Sequence, residues 1–459
     1  MDAIITGAIE IPAAIPVSLM REVRRDLTFP NPERLRLLRA GQDVRHLQQT
    51  IQVWKELPGG GIEIPRGYGR RLHGLAADLG IPIRWEDRRA EAAGPFPQRL
   101  SGVTLRGYQS RAVEQAMVVT QGVVVSPTGS GKTITALEII RRRGQKALVL
   151  VHNRALAKQW RQVIRERLGM EAGIVGDGEW VVGHQVTVAM IQTLASRMDA
   201  AQRLGGFFGL VLVDECHHTP AVTFATVIGQ FRAKWRYGFT ATPNRNDGLA
   251  AMIHRLLGDV VAEVAAAEVL SAGGIVPVMV EVARTEIAFE AISSRRHGWT
   301  HFVAALAADA ERNRRIAAIV AGVAGAGRKV LVLTDRVGHA EALAALIPGA
   351  VLAHGQIKGR EAVMARMAEA AVTVGTKGLL GEGLDCAVWS CLVMASPMSG
   401  ETPVRQAVGR IVRPAPGKRD AVVIDVVDDH PFAYGAFRKR RAIYNQNRWL
   451  VRGLATEKC

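Results

Sequence analysis

From about residue 99 to 265 the chain alternates short apolar runs with amphipathic stretches, and a second set of the same kind follows residue 312. In the first set, "GVVVSP", "KALVLVH", "VTVAMI" and "GLVLVDE" are short, uniformly apolar and rich in Val. That composition predicts strands buried on both faces. Between them, "TITALEIIRRR" and "RALAKQWRQVIRERL" read as helices. The second set supplies "KVLVLT", "AVLAHG", "AVTVGT", "SCLVMA" and "AVVIDVV" as strands. Parallel strands need a crossover between them, so this alternation predicts α/β lobes with parallel sheets. Two similar sets in one chain imply a pair of related lobes.

The remaining segments frame these two sets. At 459 residues the chain exceeds one ordinary core, and the length prior is about three domains. Residues 1–98 read as a small α+β accessory domain, with "AIITGAIEIP" and "GGGIEIP" as strand-rich runs around the basic, helix-like "NPERLRLLRAGQDVRHLQQ". Its Arg density, with "IPRGYGRR", suggests an accessory nucleic-acid grip, a solvated basic surface being the alternative. It closes on "EAAGPFPQRL", where Pro and Gly mark a linker. Residues 99–265 are the first lobe. Residues 266–312, Ala-rich and irregular with "SAGGIVP" as a turn, read as an interlobe linker or small insertion, and 313–459 as the second lobe with a basic, aromatic C-terminal helix.

Charge narrows the partners. Lys and Arg number 59 against 42 Asp and Glu, a formal net charge of +17. A surplus of that size points to a polyanion, nucleic acid before an anionic membrane. The start "MDAIITGAIEIPAAIPV" lacks the basic lead of a signal peptide, and no apolar run reaches membrane-spanning length. The four cysteines show no CxxC pairing, which indicates neither a zinc site nor a disulfide framework and suits a reducing cytoplasm.

The chemistry concentrates at "SPTGSGKT", residues 126–133, between a strand and a helix. Strand, Gly-rich turn and helix are the context of a phosphate-binding loop. Gly129 and Gly131 let backbone N–H groups turn inward beside Thr128 and Ser130. Lys132 would reach the outer phosphates of ATP, and Thr133 would offer its hydroxyl to Mg²⁺. The helix N-terminus adds a favourable dipole. An ordinary Gly/Ser turn is the bland alternative. In "LVLVDECHH", Asp214 would hold Mg²⁺ and Glu215 would polarise the attacking water; a solvated acidic pair at a strand end is the alternative.

"SPTGSGKT", "DECH", "GFTATPNRNDG", "VTVGTKGLLGEGLDC" and "RQAVGRIVRP" occur in that order. Together they resemble the ordered motif set of superfamily 2 helicases, in the DExH group close to the XPB-like and phage or bacterial (UvsW-like) DNA helicases. The resemblance runs from about residue 99 to 430. It implies two tandem RecA-like lobes, with ATP bound between them and a nucleic-acid strand lying across both. It casts Gln109 of "LRGYQ" as a reader of the adenine edge, although an exposed helix-start Gln is the plain reading. It gives Thr240 and Thr242 of "FTATP" a part in relaying the nucleotide state to the strand-binding face; they can equally be turn formers. Gly383 and Asp385 of "GEGLDC" would touch the ribose and couple the lobes. Gln406, Arg410 and Arg413 of "QAVGRIVR" sit at helical spacing and would share one helix face. The arginines would act as fingers on the transferring phosphoryl group, with Gln406 near His217 and the γ-phosphate; a solvated basic face is the alternative.

The same resemblance places Arg154, Gln192, Thr193 and Thr376, with Thr240, where the family grips the sugar–phosphate backbone. Such contacts carry no sequence information, so binding should be sequence-independent and salt-sensitive. One departure stands out. Where XPB-like proteins carry Arg-Glu-Asp after the TAT motif, this chain has Arg245-Asn246-Asp247. In the C-terminal stretch "FRKRRAIYNQNRWLVR", Phe437, Tyr444 and Trp449 alternate with basic residues. They suit base stacking, or else pack a terminal helix onto the second lobe.

These readings converge on a nucleic-acid-dependent ATPase that moves along or opens DNA, single-stranded, duplex or branched, with no membrane partner. A branched-DNA annealing or branch-migration ATPase, an RNA helicase and an ATP-switched clamp are the competing expectations. A protein partner that supplies specificity is compatible with each of them.

Overall fold

The computed structural model describes residues 1–39, 41–216, 221–241, 250–286, 298–354, 360–378 and 386–453. The chain divides into two compact units, residues 1–127 with 131–265, and residues 266–459 with 128–130.

The first unit carries two larger sheets. The N-terminal one has five strands in the order Lys55–Leu57, Gly61–Pro65, Ala8–Ile11, Asp2–Ile5, Arg84–Asp87. Only the last pair is parallel. The helices Val17–Asp26 and Gly69–Asp78 cover it, and Leu19, Val23, Leu72 and Ala76 pack against Ile9, Ile11, Ile62 and Ile64. Of the basic stretch expected to be helical, Pro32–Arg39 forms helix.

The second sheet has eight strands in the order Glu179–Val181, Gly173–Gly176, Val186–Met190, Ala147–Val151, Leu210–Val213, Trp235–Thr240, Gln121–Val125, Val260–Glu263. All neighbours run parallel except the Glu179–Val181 edge. The interior runs Ala147–Val151 and Leu210–Val213 contain no charged residue because both faces are covered. Ala147–Val151 is buried at every position. Helix Arg154–Leu168 starts where the Asn153 side chain accepts a hydrogen bond from Leu156 N at 2.9 Å. Ala157, Trp160, Ile164 and Leu168, at spacings of three and four, form its buried face.

In the second unit, seven strands run parallel in the order Val351–Ala353, Val372–Thr376, Val330–Thr334, Cys391–Met394, Ala421–Asp428, Val278–Thr285, Leu450–Arg452. Side chains alternate between the faces. Leu331, Leu333 and Val423 join one core, and Val330, Val332, Val422 and Ile424 the other. Val278–Thr285, in the stretch read as irregular, pairs along its whole length with Ala421–Asp428. The Val-rich alternation of that stretch was masked by its Ala-rich surroundings.

The C-terminal helix Pro431–Gln446 settles the choice left open for its aromatics. Phe437 and Tyr444 are buried in the second unit's core, and Trp449 packs against it. The ring faces of Phe437 and Tyr444 are therefore not a platform for bases, while Trp449 is half-buried. Arg440 from this helix is buried in a bidentate pair with Asp425 at 2.7 and 2.8 Å, and the Tyr444 hydroxyl donates to the same carboxylate at 2.7 Å.

Candidate nucleotide-binding site

In a parallel sheet the C-terminal strand ends share one edge, where ligands of open α/β sheets bind. The sequence places the phosphate loop after Gln121–Val125, the acidic pair after Leu210–Val213 and Thr240 at the end of Trp235–Thr240. Backbone bonds lock these ends together. Ser126 N donates to Thr240 O at 2.9 Å, Asp214 N to Leu150 O at 3.0 Å and Cys216 N to Phe239 O at 3.1 Å.

The loop has the backbone that its glycines permit. Gly129 has φ +85° and Gly131 φ +80°, in the left-handed region where a side chain is strained. Gly131 is the N-cap of helix Lys132–Arg143, which ends in three arginines and a left-handed Gly144. Those charges complement the C-terminal end of the helix dipole. Ser130 is buried, and Thr128 and Thr133 are half-buried. Gln109 is buried rather than exposed. Its Oε1 accepts from Arg106 N at 2.9 Å, and its Nε2 lies where a Cβ on Gly131 would come within 2.5 Å.

Lys132, Asp214 and Glu215, which the sequence singled out, lie together here. Lys132 Nζ lies 3.2 Å from Glu215 Oε1 and donates to Ser126 O at 3.4 Å. Asp214 is buried, and its Oδ1 accepts from Glu215 N at 3.0 Å. Its Oδ2 accepts from Trp160 Nε1 at 2.8 Å. Burial, reinforced by the neighbouring Glu215 charge, pushes the Asp214 carboxyl up to about 6, while the Trp160 N–H and Lys132 pull it down. Glu215 itself stands at φ +46°, a left-handed conformation uncommon for a non-glycine residue and concentrated at functional sites. Thr133 and Asp214 form an all-oxygen donor set, which suits a hard cation such as Mg²⁺.

Trp160 escaped the sequence reading. The signal was an indole within "KQW" on the buried stripe of a helix: a buried Trp N–H seeks an acceptor, and the adjacent strand end offers a carboxylate.

The expected nucleic-acid contacts in the first unit lie on the same sheet edge. Arg154 opens the helix after Ala147–Val151, is largely exposed and pairs with Asp177 at 2.5 Å. Gln192 is exposed and Thr193 half-buried on helix Ile191–Ser196, after Val186–Met190. Thr240 is fully buried. In the second unit, Thr376 ends the strand Val372–Thr376 and is buried. Gln406 and Arg410 belong to helix Glu401–Ile411, with Val412 as its C-cap. Arg413 falls beyond that cap, so the three residues do not share one helix face; the helix ends before the spacing is complete. Burial pushes the Arg413 guanidinium down. His217, Thr242, Arg245, Asn246, Asp247, Gly383 and Asp385 lie outside the described residues.

Residues 102–245 match the family described as "Type III restriction enzyme, res subunit". The chain is 27% identical over 346 residues to "Probable helicase D10" of Escherichia phage T5, covering 73% of this chain and 74% of that protein. It is 34% identical over 167 residues to "DNA 3'-5' translocase XPB2" of Sulfurisphaera tokodaii, covering 36% of this chain but only 37% of that protein. Among solved structures, S. cerevisiae Dbp5 bound to RNA and ADP BeF3 aligns with a TM-score of 0.54 at 15% identity, over 75% of this chain and 89% of that one. At that identity the likeness is one of fold, the two-lobe RecA-like arrangement.

Proposed function

We propose that the chain is a superfamily 2 helicase of XPB-like and phage type, and that it couples ATP hydrolysis to movement along, or remodelling of, DNA. The observation that carries the reading is the meeting of Lys132, Glu215 and buried Asp214 beside a left-handed glycine loop. A lysine, two carboxylates and inward backbone N–H groups at a helix N-terminus make a phosphoryl-transfer site, in which catalysis is positioning plus charge stabilisation.

In this reading, Gly129 to Gly131 cradle phosphate oxygens, and Lys132 exchanges its contact with Glu215 for the outer phosphates. Glu215, freed of the amine, orients the attacking water. Thr133 and Asp214 would hold the Mg²⁺ that accompanies ATP, which would supply neutralising charge. Trp160 keeps the Asp214 carboxylate in one orientation. Gln109 reads the base, assisted by Gly383 and Asp385 at the ribose, and His217 and Gln406 sense the γ-phosphate. Arg410 and Arg413 stabilise the charge of the transferring group. Arg154, Gln192 and Thr193 engage the strand backbone without reading its sequence, and Thr240 and Thr376, buried at their strand ends, act through their neighbours.

DNA is the favoured strand, because the relatives whose names state a nucleic acid include DNA translocases and helicases. Cys216, Cys386 and Cys391 take part in no disulfide among the described residues, and a reducing cytoplasm is the proposed location. No helix among the described residues is long and apolar enough to cross a membrane.

The test is steady-state ATP hydrolysis with no nucleic acid, single-stranded, forked or duplex DNA, or RNA, at two salt concentrations. Strong stimulation by DNA, abolished in Lys132→Ala, is the expected result. Stimulation by RNA alone moves the substrate assignment, and tight DNA binding without hydrolysis leaves an ATP-switched clamp.

A further inference from the structure

At the opposite edge of the first unit from the phosphate loop, where strands Gln121–Val125 and Trp235–Thr240 begin, an open cavity of about 210 Å³ lies between the N-terminal sheet and the eight-stranded sheet. One wall is apolar and aromatic, formed by Ile5, Ile9 and Trp85. The other carries Arg66, Arg70 and Arg89. Gly69, the first residue of the ten-residue helix Gly69–Asp78, also faces it, and adds the favourable N-terminal end of a helix dipole for an anion.

The charges here do not balance. Arg66 is only 2% exposed, yet all its acceptors are neutral: Gln121 Oε1 at 2.7 Å, Ala233 O at 2.6 Å, Lys234 O at 2.9 Å and Thr6 O at 3.4 Å. Arg236, equally buried behind it, donates to the carbonyls of Gly7, Ile228 and Phe231. Among the described residues neither makes an ion pair. The carboxylates nearby are already engaged, Asp87 by Arg89 at 2.7 Å and Asp259 by Arg70 at 3.4 Å. Three guanidiniums line the cavity, a fourth lies near Arg66, and the ion pairs to Asp87 and Asp259 engage only Arg89 and Arg70. Burial, together with Arg236 and Arg89, pushes the Arg66 guanidinium well below its ordinary range. A buried charge is tolerated when it is paired, and an anion in the cavity would supply a partner of opposite charge.

We propose that this cavity binds one phosphate-bearing nucleotide unit, its phosphate against the arginine wall and its base against Trp85. The volume favours a single unit, since it lies below the roughly 300–1,000 Å³ of pockets for larger ligands. Guanidiniums suit phosphate through their planar, multiple donors. An indole flanked by isoleucines suits a base through stacking and apolar contact. A free mononucleotide and the terminal nucleotide of a strand share this chemistry. The proposal stands independently of the ATPase reading.

The test is calorimetric titration of the full chain, its ATP site saturated with ADP and Mg²⁺, with thymidine 5′-monophosphate, thymidine and inorganic phosphate. The monophosphate binds at least tenfold more tightly than either fragment. Arg70→Gln, an exposed change that leaves the core intact, weakens it at least tenfold, and so does Trp85→Leu. Lys132→Ala leaves it unchanged. A 5′-phosphorylated trinucleotide that binds more tightly identifies a strand end as the source, and one that binds equally or less tightly identifies a free nucleotide. Absence of binding at millimolar monophosphate, or binding that Lys132→Ala abolishes, overturns the proposal. So does phosphate binding that thymidine does not improve, or full affinity in Arg70→Gln.

Discussion

Gly131→Ala separates two demands that the phosphate loop places on one position. The first is conformational. Gly131 sits at φ +80° and ψ +39°, and holding an alanine in the left-handed region costs about 1–2 kcal/mol. The second is steric. The new Cβ would lie 2.5 Å from Gln109 Nε2, so Gln109 must move and surrender the bond its Oε1 accepts from Arg106 N at 2.9 Å. That bond is worth about 1 kcal/mol. The first unit should therefore lose about 2–3 kcal/mol and unfold roughly 5–8 °C lower. In Gly131→Ala/Gln109→Ala the collision disappears but the backbone strain remains. The two single costs should then fail to add by about 1 kcal/mol. Thermal unfolding of the four proteins measures the cycle, with ATP turnover beside it. Turnover should fall in Gly131→Ala and stay low in the double variant, because the strained backbone re-aims the N–H groups. A Gly131→Ala protein within 0.5 kcal/mol of the parent, or strictly additive costs, would refute the loop geometry.

Trp160→Phe keeps the ring packing but leaves Asp214 Oδ2 without its 2.8 Å donor; orphaning a buried acceptor costs about 1–3 kcal/mol, so kcat for ATP hydrolysis should drop by about tenfold or more while far-UV circular dichroism stays unchanged. Asp177→Asn releases Arg154 from its 2.5 Å ion pair. Asn tolerates the φ of +56° at that turn, so DNA affinity by fluorescence anisotropy should rise several-fold, an effect that Arg154→Gln cancels. His339 is buried with Asn313 and Ser396, and burial, with Arg312 beside it, pushes its imidazole from 6.5 down to about 3. The unfolded chain therefore binds the extra proton first, and stability present above pH 6.5 is lost as pH falls towards 3. The full loss amounts to roughly 5 kcal/mol, and denaturant titrations between these limits should show a pH slope that His339→Gln flattens.

What the sequence disclosed depended on how local the signal was. The phosphate loop was readable because its geometry is confined to eight consecutive residues, 126–133, between a recognisable strand and helix. The acidic pair was readable because it ends an apolar run. Trp160 was hidden because its partner lies 54 residues away, and helix periodicity alone does not say which strand end the indole meets. Arg413 was misplaced for the opposite reason. Its spacing obeys the helix, but the helix stops at Ile411. The C-terminal aromatics show that composition cannot distinguish a stacking platform from a packed face; burial decides it, with Tyr444 tied to Asp425. The arginine-walled cavity joins residues from Ile5 to Gln121, which only tertiary structure brings together.

The most direct test of the central claim is movement itself. A third strand annealed to duplex DNA as a triplex is displaced by any translocating motor, without requiring that the duplex be opened. With ATP and Mg²⁺ the chain should displace that strand at a rate that tracks hydrolysis, and Lys132→Ala and Glu215→Gln should leave it bound. Vigorous DNA-stimulated hydrolysis with no displacement would contradict coupling of ATP turnover to travel along DNA.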